Sequence, residues 1–280
     1  MDGFRDFWRR YRRKTSAVIG LILLVFVALV ALAGPWFIPG DPLDMVTQPF
    51  LWPGTDIEFP LGSDVLGRDI LTGIVHGSRV SLLIGFSATI AALGIGVTVG
   101  ALAGYFRGWI DDVLMRVTEI FQTVPTFLLA VVLVAIFKPS LSTIVLAISA
   151  VTWPAIARLV RAEFLSLRER EFVQSCVVIG MGETRIIFRQ ILPNCLPPII
   201  VMSSVMVASA ILTESGLSFL GLGDPNLMSW GTMIGIGREA MRTAWYMSAL
   251  PGVAILITVL ALNLVGEGLN DALNPRLKNR

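Results

Sequence analysis

The sequence predicts an all-α membrane protein with six transmembrane helices. Of its 280 residues, 55% are hydrophobic and 15% charged, against about 25% charged in a soluble domain. Six apolar runs, at 17–38, 80–105, 120–137, 141–160, 197–220 and 246–265, reach or approach the roughly 20 residues that ~30 Å of hydrocarbon requires. Inside lipid each run must satisfy its own backbone hydrogen bonds, which makes it a helix. Seventeen of the 22 Lys and Arg residues fall on one side of this topology, so the positive-inside rule places both termini in the cytoplasm.

Residues 1–16 form a basic cytoplasmic segment, with Phe7, Trp8 and Tyr11 placed to anchor at lipid headgroups. The first transmembrane helix, 17–38, follows. Ala31-Leu32-Ala33 resembles a signal-peptide cleavage site. Cleavage there would leave five spans and contradict the charge asymmetry, so the helix is read as a retained anchor. Residues 39–79 form an acidic external segment, broken by Pro39, Pro42, Pro49, Pro53 and Pro60.

The core, 80–268, opens with a span in which Gly96, Gly100 and Gly104 recur every four residues. That spacing gives one small-residue face against which another helix can pack closely. Pro125 and Trp153-Pro154 would kink the third and fourth spans. The fifth span carries Glu214 beside Ser215. A charge in the bilayer costs about 2.5–3.5 kcal/mol, so Glu214 needs a cavity or a polar partner such as Ser215 or Ser218. Glu214, Ser215, Trp153 and Pro154 are the candidates for a gate or cavity wall. Trp230 and Trp245 are expected at the outer interface. Gly266, Gly268 and Pro275 are expected to end the sixth helix before a cytoplasmic tail, 269–280.

The loop at 161–195 interrupts this membrane pattern with a charged, helix-rich stretch. Phe172, Val173, Cys176 and Ile179 repeat at spacings of three or four, which predicts an amphipathic helix over 169–179. Gly180 ends it and Met181-Gly182 turns the chain. A second helix over 183–192 sets Ile186, Ile187 and Ile191 against Arg185 and Arg189, and Pro193 is expected to stop it. The spacing from Gly180 to Leu192-Pro193 resembles the cytoplasmic EAA loop of ABC-importer permeases.

The resemblance extends over nearly all of residues 60–280. The stretches LGSDVLGRDILTGIVHGSRVSL, GYFRGWIDDVLMRVTEIFQTVP and ILTESGLSFLGLG look like the dipeptide/oligopeptide/nickel-type ABC permeases, most of all their C-type subunit. This resemblance implies a type I ABC-importer (MetI-like) permease fold in a prokaryotic cytoplasmic (inner) membrane. It implies a heterodimer with a B-type permease, two ABC ATPase subunits and an extracytoplasmic solute-binding protein. It further implies ATP-driven uptake of di-/oligopeptides by alternating access, with nickel, metal-chelate, glutathione or opine-like solutes as other cargo of the same machinery. The ATPase-coupling residues implied are Glu171, Gln174, Ser175, Cys176, Gly180, Met181, Gly182 and Arg185. Gln174, Ser175 and Cys176 stand where the family pattern reads Glu-Ala-Ala, so the carboxylate of that pattern is missing.

No cofactor site is expected in this chain. A phosphate-binding loop needs a lysine after glycine, and none of Lys14, Lys138 and Lys278 follows one. ATP and Mg are therefore expected on partner subunits, and the chain itself is not expected to be an enzyme. No metal site is expected either: His76 is the only histidine, and Cys176 and Cys195 lie across the membrane from it. A net charge of +2 gives no sign of nucleic-acid binding. An ion-coupled secondary transporter is disfavoured, because no internal repeat is visible and only one carboxylate lies well inside a span.

Overall fold

A computed structural model describes the chain from Asp2 to Leu273, with side chains from residue 7 onward. Pro275, Arg276, Lys278, Arg280 and the side chain of Arg5, all used in the topology above, lie outside the described residues. Within them the helices are α1 (Asp2–Arg13), α2 (Thr15–Phe37), α3 (Ile70–Phe106), α4 (Gly108–Thr123), α5 (Thr126–Phe137), α6 (Leu141–Arg168), α7 (Glu171–Val178), α8 (Glu183–Ile186), α9 (Leu192–Phe219), α10 (Trp230–Gly237) and α11 (Tyr246–Leu273). Among the described residues α2, α3, α6, α8 with α9, and α11 are long and apolar enough to cross a membrane. The pair α4 and α5, bent by 84°, makes a sixth crossing if the two are taken as one broken span. Val124 sits before Pro125 in an extended conformation, because the proline ring excludes the helical region for the residue ahead of it.

Crossing helices alternate in direction, so one end of the bundle gathers the basic residues and the other the acidic, proline-rich segment. At the acidic end α3 starts ten residues ahead of the predicted span. The Asp69 carboxylate accepts from the Leu71 and Thr72 amides at 3.2 and 2.8 Å, and a cap of this kind nucleates the helix before its apolar run begins. His76, within this added stretch, lies 2.9 Å from the Ile38 carbonyl through Nε2. Arg79 crosses to α2 and donates to the Ala31 and Leu32 carbonyls. The Ala31 carbonyl is the one that Pro35, four residues on, cannot satisfy.

The predicted glycine face is a packing seam. A Cβ on Gly96 would sit 2.6 Å from Cβ of Ile156, and one on Gly104 2.6 Å from Cβ of Phe164. On Gly100 it would meet Cβ of Val160 at 2.8 Å. These pairs share one offset along two parallel helices, α3 and α6. Gly266 and Gly268 do not end the last helix, contrary to expectation; α11 continues to Leu273. Their missing side chains instead admit Ser204 of α9 and Ala17 with Tyr11 of the N-terminal helices. Lys14 closes this corner with ion pairs to Glu267 and Asp271, both 2.7 Å.

Trp230 also departs from expectation. It is buried, not interfacial, and its indole N–H donates to the Ile74 carbonyl at 2.9 Å. Its helix α10 folds back between α9 and α11. Trp245 is 57% exposed, as an interfacial residue would be.

Candidate functional site

At the basic end, α7 and α8 form a two-helix knob below the bundle. Val173, Ile186, Ile187 and Ile191 are buried and join Phe164, Val160 and Tyr105 in one apolar cluster. Gly180 adopts φ +75°, a conformation that L side chains resist. There the chain closes with Gly180 N–H to the Val177 carbonyl and Met181 N–H to the Cys176 carbonyl, both 3.0 Å, the paired bonds of a glycine-terminated helix end.

The second half of the knob differs from expectation. Pro193 does not stop the helix; α9 runs through it and through Pro197 and Pro198. In a regular helix the Pro193 ring would clash with the carbonyl four residues back. The chain avoids this by a π-helical turn over Ile187–Ile191, in which Leu192 N–H reaches back to the Ile187 carbonyl. The knob is thus joined to α9 without a loop.

Its outer surface also differs from the predicted amphipathic face. Phe172 and Ile179, placed on the apolar side by spacing, are exposed, Ile179 by 74%. Val178 is 86% exposed, and Val177 and Phe188 are exposed as well. Glu171, Gln174, Ser175, Gly182 and Arg185 are exposed around this tip, while Cys176 and Met181 are half-buried beneath it. Ser175 Oγ donates to the Glu171 carbonyl at 2.9 Å. Gln174 Nε2 donates to the Arg168 carbonyl at 3.0 Å, satisfying an acceptor at the end of α6. An ionised glutamate has no hydrogen to donate there, so the Gln-Ser-Cys variant gains a brace between knob and span. Arg107 pairs with Glu169 and the Arg168 guanidinium lies 5.3 Å over the Tyr105 ring, tying the knob's root to α3.

The gate candidates are dispersed. Glu214 is 1% exposed, and Oε1 accepts from Ser218 Oγ at 2.8 Å and Ser229 Oγ at 2.6 Å. Ser229 also caps α10 through the Thr232 amide, so Glu214 fastens α10 to α9. Ser215 points its hydroxyl to the Ile211 carbonyl. Trp153 and Pro154 are buried, the Trp153 ring edge-on to Phe121 at 5.4 Å; α6 passes through Pro154 unbroken. Sequence reasoning missed Ser229, whose only local signal is its position as a cap ahead of Trp230-Gly231.

Residues 96–279 match the family model described as the inner membrane component of binding-protein-dependent transport systems. The chain belongs to that family. It is a multi-pass inner-membrane permease component of an ABC transporter. Residues 4–53 match a second model, the N-terminal transmembrane domain of oligopeptide transport permease C. Relatives include the di/tripeptide transport permease DppC of Pseudomonas aeruginosa, 40% identical over 98% of this chain and 93% of its own length. The dipeptide permease DppC of Escherichia coli is 41% identical over 99% and 95%, and the glutathione permease GsiD of Pectobacterium atrosepticum 38% over 99% and 92%. Among solved structures, an inward-facing MetNI methionine ABC transporter superposes with TM-score 0.60 at 18% identity, over 69% of this chain and 93% of that one. The fold is the one this permease family shares.

Proposed function

We propose that this permease is one half of the translocation path of an ATP-driven importer of di- and tripeptides, moved by ATPase subunits that grip the knob. The reading places both termini and the knob in the cytoplasm, in line with the basic residues there. The observation that carries it is the exposed apolar tip of Val177, Val178 and Ile179 on a helix pair joined to α6 and α9. Apolar side chains at the end of a charged knob are stable in water only at a cost of surface, and such patches mark interaction sites. The di- and tripeptide permeases at about 40% identity over the whole chain support the cargo.

In this mechanism nucleotide closes a pair of ATPases beneath the knob. The push passes through Gln174 to the end of α6, and through the π-turn into α9, without an intervening loop to absorb it. Glu171, Ser175, Gly182 and Arg185 surround the contact; Cys176 and Met181 support it from below. A B-type permease forms the other half of the path, and an external binding protein delivers solute. ATP and Mg are held by the ATPases.

Affinity purification of the chain from its native host should bring down a second permease and two ATPase subunits. Cells with the complete system should accumulate radiolabelled dialanine only while ATP is available. Accumulation by this chain alone in liposomes under an ion gradient would contradict the proposal.

A further inference from the structure

One charged surface remains unused by the knob, the seams and the Glu214 fastening. On α4, Asp112, Arg116 and Glu119 follow spacings of three and four, which align them along one face of the helix. On α6, Arg158 and Arg161 stand one turn apart. All five line a single cleft of about 570 Å³ between the two helices, a size within the range of small-molecule sites.

The pairing within this cleft is uneven. Asp111, nearly buried, holds Arg161 in a two-pronged ion pair, with Nε and a terminal nitrogen each 2.5 Å from a carboxylate oxygen. Arg116 pairs with Glu119 at 3.0 Å on the open surface. Arg158 is exposed and makes no ion pair or hydrogen bond with any described residue. It lies 17 residues into α6, about 26 Å from that helix's start at 1.5 Å per residue, close to the far boundary of a ~30 Å hydrocarbon layer. An arginine at that level can extend its charged end into a polar space, and the space beside it is this cleft.

We propose that this cleft is the cytoplasmic mouth of the peptide path, with Arg158 as a specificity-determining residue that receives acidic side chains of the cargo and Glu119 a counterpart that receives basic ones. The proposal rests on the di- and tripeptide reading above and deepens it. An acidic or basic side chain on a peptide loses hydration on entering an apolar channel. A site with fixed charges of both signs replaces that hydration, and a guanidinium fork matches a carboxylate in shape as well as charge. The Asp111 brace occupies Arg161, which leaves Arg158 as the fork free to bind, while the Arg116–Glu119 pair is exposed on both sides and weak enough for an incoming cation to compete for Glu119.

The experiment compares uptake of Ala-Glu, Ala-Ala and Ala-Lys in cells that carry the complete transporter and no other peptide importer. The binding protein is the same in every arm, so its preferences cancel when a variant's ratios are divided by those of wild type. Arg158→Glu should lower the Ala-Glu to Ala-Lys uptake ratio about tenfold, and Arg158→Lys should keep it within twofold. Glu119→Gln should shift the ratio the opposite way by about threefold. An equal loss for all three peptides in Arg158→Glu, the result expected if Arg158 instead pairs with a carboxylate of the second permease, would overturn the proposal. So would an unchanged or reversed ratio. Failure of wild type to take up any of the three would sink the peptide reading itself, a distinguishable result.

Discussion

The seam between α3 and α6 and the tip of α7 are both apolar, and they face opposite fates. Along the seam, Gly96, Gly100 and Gly104 let Ile156, Val160 and Phe164 approach until no space remains. At the tip, Val177, Val178 and Ile179 project into solvent, largely uncovered by the described residues. The seam is a finished contact and the tip an unfinished one. A change at the seam should therefore damage the subunit, and a change at the tip should damage only what the subunit is coupled to.

Gly100→Val tests the finished contact and carries the largest expected loss of stability. The new side chain meets backbone of Ala157 and the Val160 side chain, and overpacking of this kind costs about 3 kcal/mol. Thermal unfolding of the purified complex should show a fall of several degrees, and transport should drop in step with the amount of folded protein. A variant with unaltered melting would show that the seam is looser than the geometry requires.

Glu214→Ala comes next. It strands the Ser218 and Ser229 hydroxyls and unfastens α10, a loss of about 2 kcal/mol for buried groups without their acceptor. Glu214→Gln keeps one acceptor oxygen and should recover most of that stability. If Glu214→Gln melts normally and transports at the normal rate but prefers different peptides, Glu214 senses cargo and the fastening role is wrong.

Lys14→Gln should cost less than about 1 kcal/mol, since its partners Glu267 and Asp271 are half exposed. Hydrogen bonds to Asp271 and then Glu267 raise the Lys14 pKa above its ordinary value. A raised pKa means the stabilisation is complete below the ordinary lysine value and fades only as pH climbs through the raised one. The melting difference between wild type and Lys14→Gln should accordingly stay constant from pH 6 to about 9 and shrink only in stronger alkali. A difference that varied across neutral pH would assign it to another group.

Much of this comparison was legible in the sequence, and the gaps have physical causes. Glycine spacing announced the seam because helical periodicity is local. Gly180 announced the end of α7 because only a residue without Cβ accepts its φ easily. What spacing did not reveal was which apolar residues the knob would leave uncovered: Phe172 and Ile179 share a face with Val173 in a helical projection, but α7 packs on the bundle through Val173 and Cys176. Pro193 has the look of a helix stop because the π-turn that accommodates it depends on backbone geometry that composition does not encode. The fastening of Glu214 to Ser229, 15 residues away, and the burial of Trp230 both depend on α10 folding back, a tertiary event. Gly266 and Gly268 read as helix breakers in one dimension and act as close-contact sites in three.

The smallest effect on stability should come from the tip, and the account depends on it most. Val178→Asp alters an 86% exposed side chain, so the melting temperature of the complex should stay within the equivalent of about 0.5 kcal/mol of wild type. ATP-driven uptake of dialanine by the same protein, at matched membrane levels, should fall at least tenfold, with loss of binding-protein-stimulated ATP hydrolysis. Normal uptake by a stably folded Val178→Asp protein would show that the tip is not where force enters the permease.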